Sequence, residues 1–268
     1  TVDGDDIAGD LPAPIKLDLV FATTPDTVNN VYISATNRLP GNHVEEAIFG
    51  LEIPDASSSG GSYREYPANI GFEPTVLMTT AGQHNFDGYY HILARFPTIP
   101  VQPISLMFFD SHRNFRTKTI LMPAQVSNPL ILVDTVRIRL KTKQFYLLVD
   151  LSAPTGTDVL GIDYVAFLDS ENFVHLLAYG RIGSVFYADD GDYVWYDNNN
   201  ALDSHAGWQN LSEPTRVNRY IATHGPGLFL TPGKDHKFAL FWDQDKGECD
   251  VSAFLTAKLY YYPRRRTL

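Results

Sequence analysis

Short apolar segments with a two-residue alternation recur along this chain, and no stretch shows a convincing helical periodicity. Over residues 15–22, Ile15, Leu17 and Leu19 alternate with more polar neighbours, which is the period of a half-buried β-strand. Gly, Pro, Asn and Asp separate such segments, and these residues favour turns. The pattern predicts roughly sixteen strands and an all-β protein.

The spacing of the strands also indicates an architecture. Many short strands at this spacing are typical of sandwiches and barrels, and we predict a jelly-roll-like β-sandwich. The 268 residues suffice for one large domain or for two packed sandwiches, as in a double jelly roll. Two prolines within residues 123–129 favour a crossing between two halves over a hairpin. The predicted halves are therefore residues 15–122 and residues 130–268.

Two segments outside the predicted strands have little to bury. Residues 1–14 carry four aspartates among Gly, Ala and Pro, so we expect an extended acidic N-terminal arm. Residues 55–62 are rich in Ser and Gly, and we expect an exposed loop there.

Composition limits the possible partners. The formal net charge of −10 disfavours direct nucleic-acid binding, because phosphate contacts depend on Lys and Arg. Cys249 is the only cysteine, so neither an intrachain disulfide nor a cysteine-based metal site can form. No apolar run approaches the roughly 20 residues of a membrane-spanning helix, so no transmembrane segment is expected.

No arrangement typical of catalysis occurs in the sequence. The eight histidines are scattered, and each is expected to be a hydrogen-bonded structural residue. Residues 227–234 imitate a phosphate loop, but residues 231–234 fit a type II turn with Pro232 and Gly233 at its centre. We therefore predict a protein that is not an enzyme and has neither catalytic residues nor a required cofactor.

An acidic window over residues 187–203 offers a candidate metal site. Its aspartates could supply the hard oxygen ligands that Ca²⁺ prefers, although the spacing lacks the Gly and the closing Glu of an EF-hand. The predicted calcium ligands are Asp189, Asp190, Asp192 and Asp197. The simpler interpretation is a hairpin turn at the Asp190-Gly191 dipeptide, followed by an Asn-rich surface loop.

Two aromatic residues in the same window are candidates for ligand binding. Trp195 and Tyr196 stand beside polar turns, as in sugar-binding surfaces built from aromatic platforms and neighbouring hydrogen-bonding groups. Neighbouring residues of a strand point to opposite faces, so one of the two faces is expected to belong to the core. Packing is the competing interpretation of both side chains.

The end of the chain is a candidate assembly contact. Aromatic and arginine side chains are enriched among the residues that anchor interfaces. The predicted contact residues are Tyr261, Tyr262, Arg264, Arg265 and Arg266. The acidic arm is their natural complement, in the same chain or in a neighbouring copy, and a solvated basic terminus is the alternative.

These observations together favour a structural assembly protein. We predict a coat or surface subunit of a virus-like particle, located in the virion or outside the cell, whose partners are further copies of itself and other particle proteins. The alternative is a secreted carbohydrate-binding module or adhesin, with or without calcium, whose glycan partners would contact Trp195 and Tyr196.

Overall fold

A computed structural model gives the fold of the chain. It describes residues 1–21, 27–28, 30–37, 43–46, 50–55, 58–67, 75–79, 88–98, 104–110, 115–121, 130–138, 144–151, 159–178, 186–187, 193–199, 205–209, 217–218, 221–242 and 255–266. The statements below concern these residues.

β-Strands dominate the described residues. The helical elements found in them are two 3₁₀ turns, Gly4–Asp6 and Ser59–Gly61, so the all-β prediction is confirmed. The strands are β1 Ala13–Phe21, β2 Thr27–Val28, β3 Asn30–Thr36, β4 His43–Glu46, β5 Leu51–Pro54, β6 Ser62–Pro67, β7 Thr75–Thr79, β8 Gly88–Arg95, β9 Ile104–Asp110, β10 Phe115–Leu121, β11 Leu130–Ile138, β12 Gln144–Leu151, β13 Val159–Ile162, β14 Tyr164–Asp169, β15 Phe173–Ala178, β16 Phe186–Tyr187, β17 Tyr193–Asp197, β18 His205–Gln209, β19 Val217–Asn218, β20 Ile221–Gly227, β21 Phe229–Leu230, β22 Lys237–Trp242 and β23 Leu255–Tyr261.

The chain divides into two compact units that differ from the two predicted halves. One unit combines Thr1–Asn37 with Ser170–Leu268, and the other is Arg38–Asp169. The reason is strand pairing: β1 lies between β17 and β23, and β3 lies between β15 and β22. The N-terminal strands therefore belong with the C-terminal part of the chain. The proline-rich stretch at 123–129 lies within the sequence range of the second unit and outside the described residues.

Two antiparallel sheets enclose the core of the first unit. Their orders are β19-β18-β17-β1-β21, with β23 also paired to β1, and β20-β15-β3-β22. The apolar positions of β1 point inward, and Ile15, Leu17 and Leu19 are at most 3% exposed. They share one cluster with Ile33 of β3 and Leu176 of β15. Full burial of each such side chain contributes about 1.5–3 kcal/mol.

The second unit contains three antiparallel sheets. Their orders are β10-β9-β12-β7, β11-β8-β14-β4 and β13-β6-β5. The apolar segment 159–168 is divided into β13 and β14 at Asp163. Asp163 is buried and its carboxylate accepts a hydrogen bond from Arg95 Nη1 at 2.6 Å. Asp163 stands where the pairing partner changes, since β13 pairs with β6 and β14 pairs with β8.

Candidate functional site

The N-terminal segment docks on the turn formed by residues 231–236, instead of extending as an arm. Val2 and His236 exchange main-chain hydrogen bonds of 2.8 and 2.9 Å. The amide of Gly4 donates to Asp235 Oδ1 at 2.9 Å, and the carbonyl of Gly4 accepts from the amide of Gly233 at 3.1 Å. The turn itself confirms the type II prediction, with a positive φ at Gly233 and a bond from the amide of Lys234 to the carbonyl of Thr231.

Two small features of the N-terminal segment explain this docking. Ile7 is 4% exposed and joins the core cluster of the first unit, so the segment has one apolar anchor after all. Gly4 is buried against the backbone of Lys234, where a Cβ atom would collide. The composition of residues 1–14 predicts little burial, whereas the structure buries Gly4 and Ile7 within them.

The C-terminal segment holds the other side of the N-terminal segment. The hydroxyl of Tyr261 donates to the carbonyl of Asp6 at 2.8 Å and accepts from the amide of Ala8 at 3.1 Å. The carbonyl of Arg264 accepts from the amides of Asp10 at 2.9 Å and Leu11 at 3.3 Å. The two termini therefore meet within one chain, through main-chain groups and a tyrosine hydroxyl. We call residues 1–11 and 261–266 the terminal corner.

The charged side chains of the terminal corner point into solvent. The exposed residues are Asp3, Asp5, Asp6, Asp10, Arg265 and Arg266, and Arg264 is partly exposed. Between described residues, no ion pair joins these arginines to a carboxylate. The corner thus presents both signs of charge on two segments whose backbones are already joined.

Asp197 and Tyr262 come from different predicted sites, and the structure brings them together. The hydroxyl of Tyr262 donates to Asp197 Oδ2 at 3.3 Å, and the amide of Asn199 donates to Asp197 Oδ1 at 2.8 Å. The amide of Tyr262 donates to the carbonyl of Pro14 at 3.1 Å. Burial and the neighbouring carboxylate of Asp197 raise the pKa of Tyr262 above its ordinary value of 10.0. Tyr262 is therefore an uncharged hydrogen-bond donor at neutral pH.

The remaining predicted calcium ligands, Asp189, Asp190 and Asp192, lie outside the described residues. Within the described part of the chain, no group of three or more His, Cys, Asp or Glu side chains could hold a metal ion. Calcium binding stays a prediction.

Trp195 and Tyr196 occupy opposite faces of β17. Tyr196 is fully buried in the core cluster, and its hydroxyl accepts from the amide of Leu228 at 3.3 Å. Tyr196 is therefore a core residue and cannot form part of an exposed platform in this structure. Trp195 is partly exposed on the other face, opposite Asp18 of β1.

The face of β17 that carries Trp195 adjoins residues that are far apart in the sequence. Lys16 and Asp18 of β1 lie beside Trp195 and Asp197 of β17, and β23 adds Lys258 and Tyr260 on the other side. We call these six residues the outer face. The alternation of each strand places its members on a polar side, but the pairing of strands more than 170 residues apart cannot be read from a local pattern.

Comparisons with protein-family models, with curated protein sequences and with solved structures give no match to this chain. Among the described residues there is no helix with the length and apolarity required to cross a membrane.

Proposed function

We propose that this protein is a structural assembly subunit of the coat type, with jelly-roll-like units, that associates with further copies of itself through the terminal corner. The observation that supports the proposal is that two joined segments carry exposed charges of opposite sign, Asp5 and Asp6 on one and Arg265 and Arg266 on the other. Other particle proteins are further partners, and the virion or the cell exterior is its location.

The distribution of charge makes the terminal corner complementary to itself. In a two-fold contact the same surface is used by both copies, so the arginines of each copy can meet the aspartates of the other. Arginine is well suited to this role because its planar guanidinium can bind a carboxylate through two hydrogen bonds. The contacts at Tyr261 and Arg264 hold both segments in place before association, which reduces the entropy lost on binding.

The net charge also bears on how such a coat would hold a genome. A formal net charge of −10 disfavours direct contact with a genome, because such contacts depend on Lys and Arg. Another component would have to bind the nucleic acid.

Reversal of the two exposed arginines tests the proposal. We expect the variant Arg265→Glu/Arg266→Glu to lose self-association in sedimentation velocity at low ionic strength, where such contacts are least screened. Its melting temperature should be nearly unchanged, because the main-chain bonds of Arg264 are retained. Arg137→Glu is the control, since Arg137 is an exposed arginine on β11, which belongs to the other unit.

A charge exchange makes the test specific. Mixing the Arg265→Glu/Arg266→Glu variant with an Asp5→Arg/Asp6→Arg variant should restore association, because each supplies the charge that the other now needs. A parent protein that stays monomeric at every concentration, or a reversed variant that assembles like the parent, would refute the terminal corner as the contact.

A further inference from the structure

We infer that the outer face binds a neutral oligosaccharide, with Tyr260 and Trp195 stacking on sugar rings and Lys16 and Asp18 hydrogen-bonding to hydroxyl groups. This inference goes beyond assembly and does not depend on it, because the terminal corner and the outer face use different side chains.

Strand register sets the layout of the outer face. Trp195 and Lys258 flank Asp18 from the two neighbouring strands, while Asp197 and Tyr260 flank Lys16. Side chains directly opposite each other in such ladders have Cβ atoms about 4.5–5.5 Å apart. Trp195 and Tyr260 lie on the two strands that flank β1, and their partners on β1, Asp18 and Lys16, are two residues apart. This geometry places the two aromatic residues about 12 Å from each other. That separation suits an oligosaccharide with rings on both aromatic groups better than a single sugar.

Tyr260 is unusually exposed for a large apolar residue. Its exposure is 49%, and among the described residues only Leu51 and Tyr89 are as prominent. Lys16 Nζ lies 5.5 Å from the centre of its ring, which holds a cation beside the aromatic face. An exposed aromatic ring offers a large apolar surface that the C–H face of a sugar ring can cover. On the other side of Trp195, its cross-strand neighbour on β18 is Gly207, which has no side chain.

The polar groups between the two aromatic residues supply both a donor and an acceptor. Asp18 Oδ1 is covered from solvent and lies 3.6 Å from Lys16 Nζ, while the whole Asp18 side chain is 19% exposed. The exposed part of that side chain therefore belongs to its other atoms. Lys16, at 36% exposure, can donate to a hydroxyl group, and the carboxylate of Asp18 can accept from one.

The charge balance of the outer face favours a neutral ligand. Two carboxylates, Asp18 and Asp197, are matched by Lys16 and Lys258. A phosphate backbone would meet the carboxylates and an acidic protein, so nucleic acid is disfavoured. A neutral polyhydroxyl chain is repelled by neither sign of charge, and its hydroxyl groups can bond to both the lysines and the carboxylates of the outer face.

Direct binding measurements test this inference. Isothermal titration with cellotetraose, maltotetraose, chitotetraose and lacto-N-tetraose should reveal saturable binding of at least one of them to the parent protein. Tyr260→Ala should weaken that binding about tenfold, equivalent to about 1.4 kcal/mol. Tyr260→Trp should retain it, because a larger ring preserves the stacking surface.

Tyr89→Ala is the matched control. Tyr89 has the same 49% exposure and carries Arg137 Cζ 5.7 Å from its ring centre, but it lies on β8 in the other unit. The inference requires that Tyr89→Ala binds like the parent. Absence of binding to all four oligosaccharides, or an equal loss in Tyr89→Ala, would overturn it. If Tyr260→Ala instead abolished self-association and left no sugar binding to measure, the face would be a contact between copies.

Discussion

At the scale of single residues, Arg95 and Asp163 of the second unit form an ion pair that is buried from solvent. Arg95 Nη1 and Asp163 Oδ2 are 2.6 Å apart, and both side chains are 1% exposed. The low local dielectric strengthens their attraction, but removal of both charges from water has a large cost. Such a pair depends on both partners because either charge alone would remain buried and uncompensated.

Removal of one partner should therefore be far more damaging than removal of both. We expect Asp163→Asn to lower the free energy of unfolding by about 3–5 kcal/mol, and the double variant Arg95→Met/Asp163→Leu to recover most of that loss. Urea denaturation of the full chain measures both. The control is the pair of Arg64 and Glu52, 2.9 Å apart with side chains 27% and 56% exposed, where Glu52→Gln should cost less than about 1 kcal/mol. Similar losses for Asp163→Asn and Glu52→Gln would contradict the argument.

At the scale of elements, the docked N-terminal segment depends on a histidine in the turn that receives it. His236 is fully buried, and its Nε2 accepts a hydrogen bond from the amide of Thr231 at 2.8 Å. A protonated Nε2 could not accept that bond. Since the main chain of His236 also pairs with Val2, protonation would disturb the turn that holds the N-terminal segment.

Stability should consequently depend on pH through His236. Burial lowers the pKa of His236 below its ordinary value of 6.5; the charge of Lys234 lowers it further, and the hydrogen bond of Thr231 and the charge of Asp235 only partly offset this. The unfolded chain therefore takes up the proton first as the pH falls. The stabilisation is fully present above pH 6.5 and is lost as the pH falls through the lowered pKa of the folded state, by about 1.4 kcal/mol for each unit of lowering.

The variant His236→Gln provides the measurement, because its amide oxygen can still accept from Thr231. We expect the urea midpoint of the parent to fall more steeply than that of the variant below pH 6.5, together with faster hydrogen exchange in residues 2–8. His224→Gln, which removes an exposed histidine, is the control variant. Parallel pH profiles for the parent and His236→Gln would exclude this role of His236.

At the scale of the whole molecule, one unit is continuous in sequence and the other is not. Arg38–Asp169 contains every strand from β4 to β14 together with their pairing partners. A fragment of residues 15–122 would instead contain β8 and lack β11 and β14, which flank β8 on both sides. Because this continuous segment contains all of these strands and their pairing partners, we expect it to fold independently.

Expression of the two fragments distinguishes these divisions of the chain. We expect residues 38–169 to show a near-ultraviolet circular dichroism signal and a cooperative urea transition, and residues 15–122 to show neither. The full chain serves as the reference for both spectra. Cooperative unfolding of the 15–122 fragment, or its absence in the 38–169 fragment, would contradict the division.

Several local features follow from the sequence. The two-residue alternation of Ile15, Leu17 and Leu19 correctly predicts the buried face of β1, and Pro232 with Gly233 identifies the type II turn. Both depend on backbone preferences within a few residues. Composition predicts an exposed loop at residues 55–62, and Gly60 and Gly61 are exposed, but Ser58 is 6% exposed and its hydroxyl bonds to Asp55 Oδ2 at 2.7 Å. That bond helps to close the connection between β5 and β6.

The sequence by itself thus determines an all-β chain, many of its strand positions and the segregation of apolar from polar side chains along each strand. Only the tertiary structure decides which strands pair, and with that the two units, the terminal corner and the outer face. Lys16 meets Tyr260 because β1 pairs with β23, across more than 240 residues. The alternation of a strand specifies its buried side but not its neighbour, because every exposed strand edge offers the same main-chain donors and acceptors.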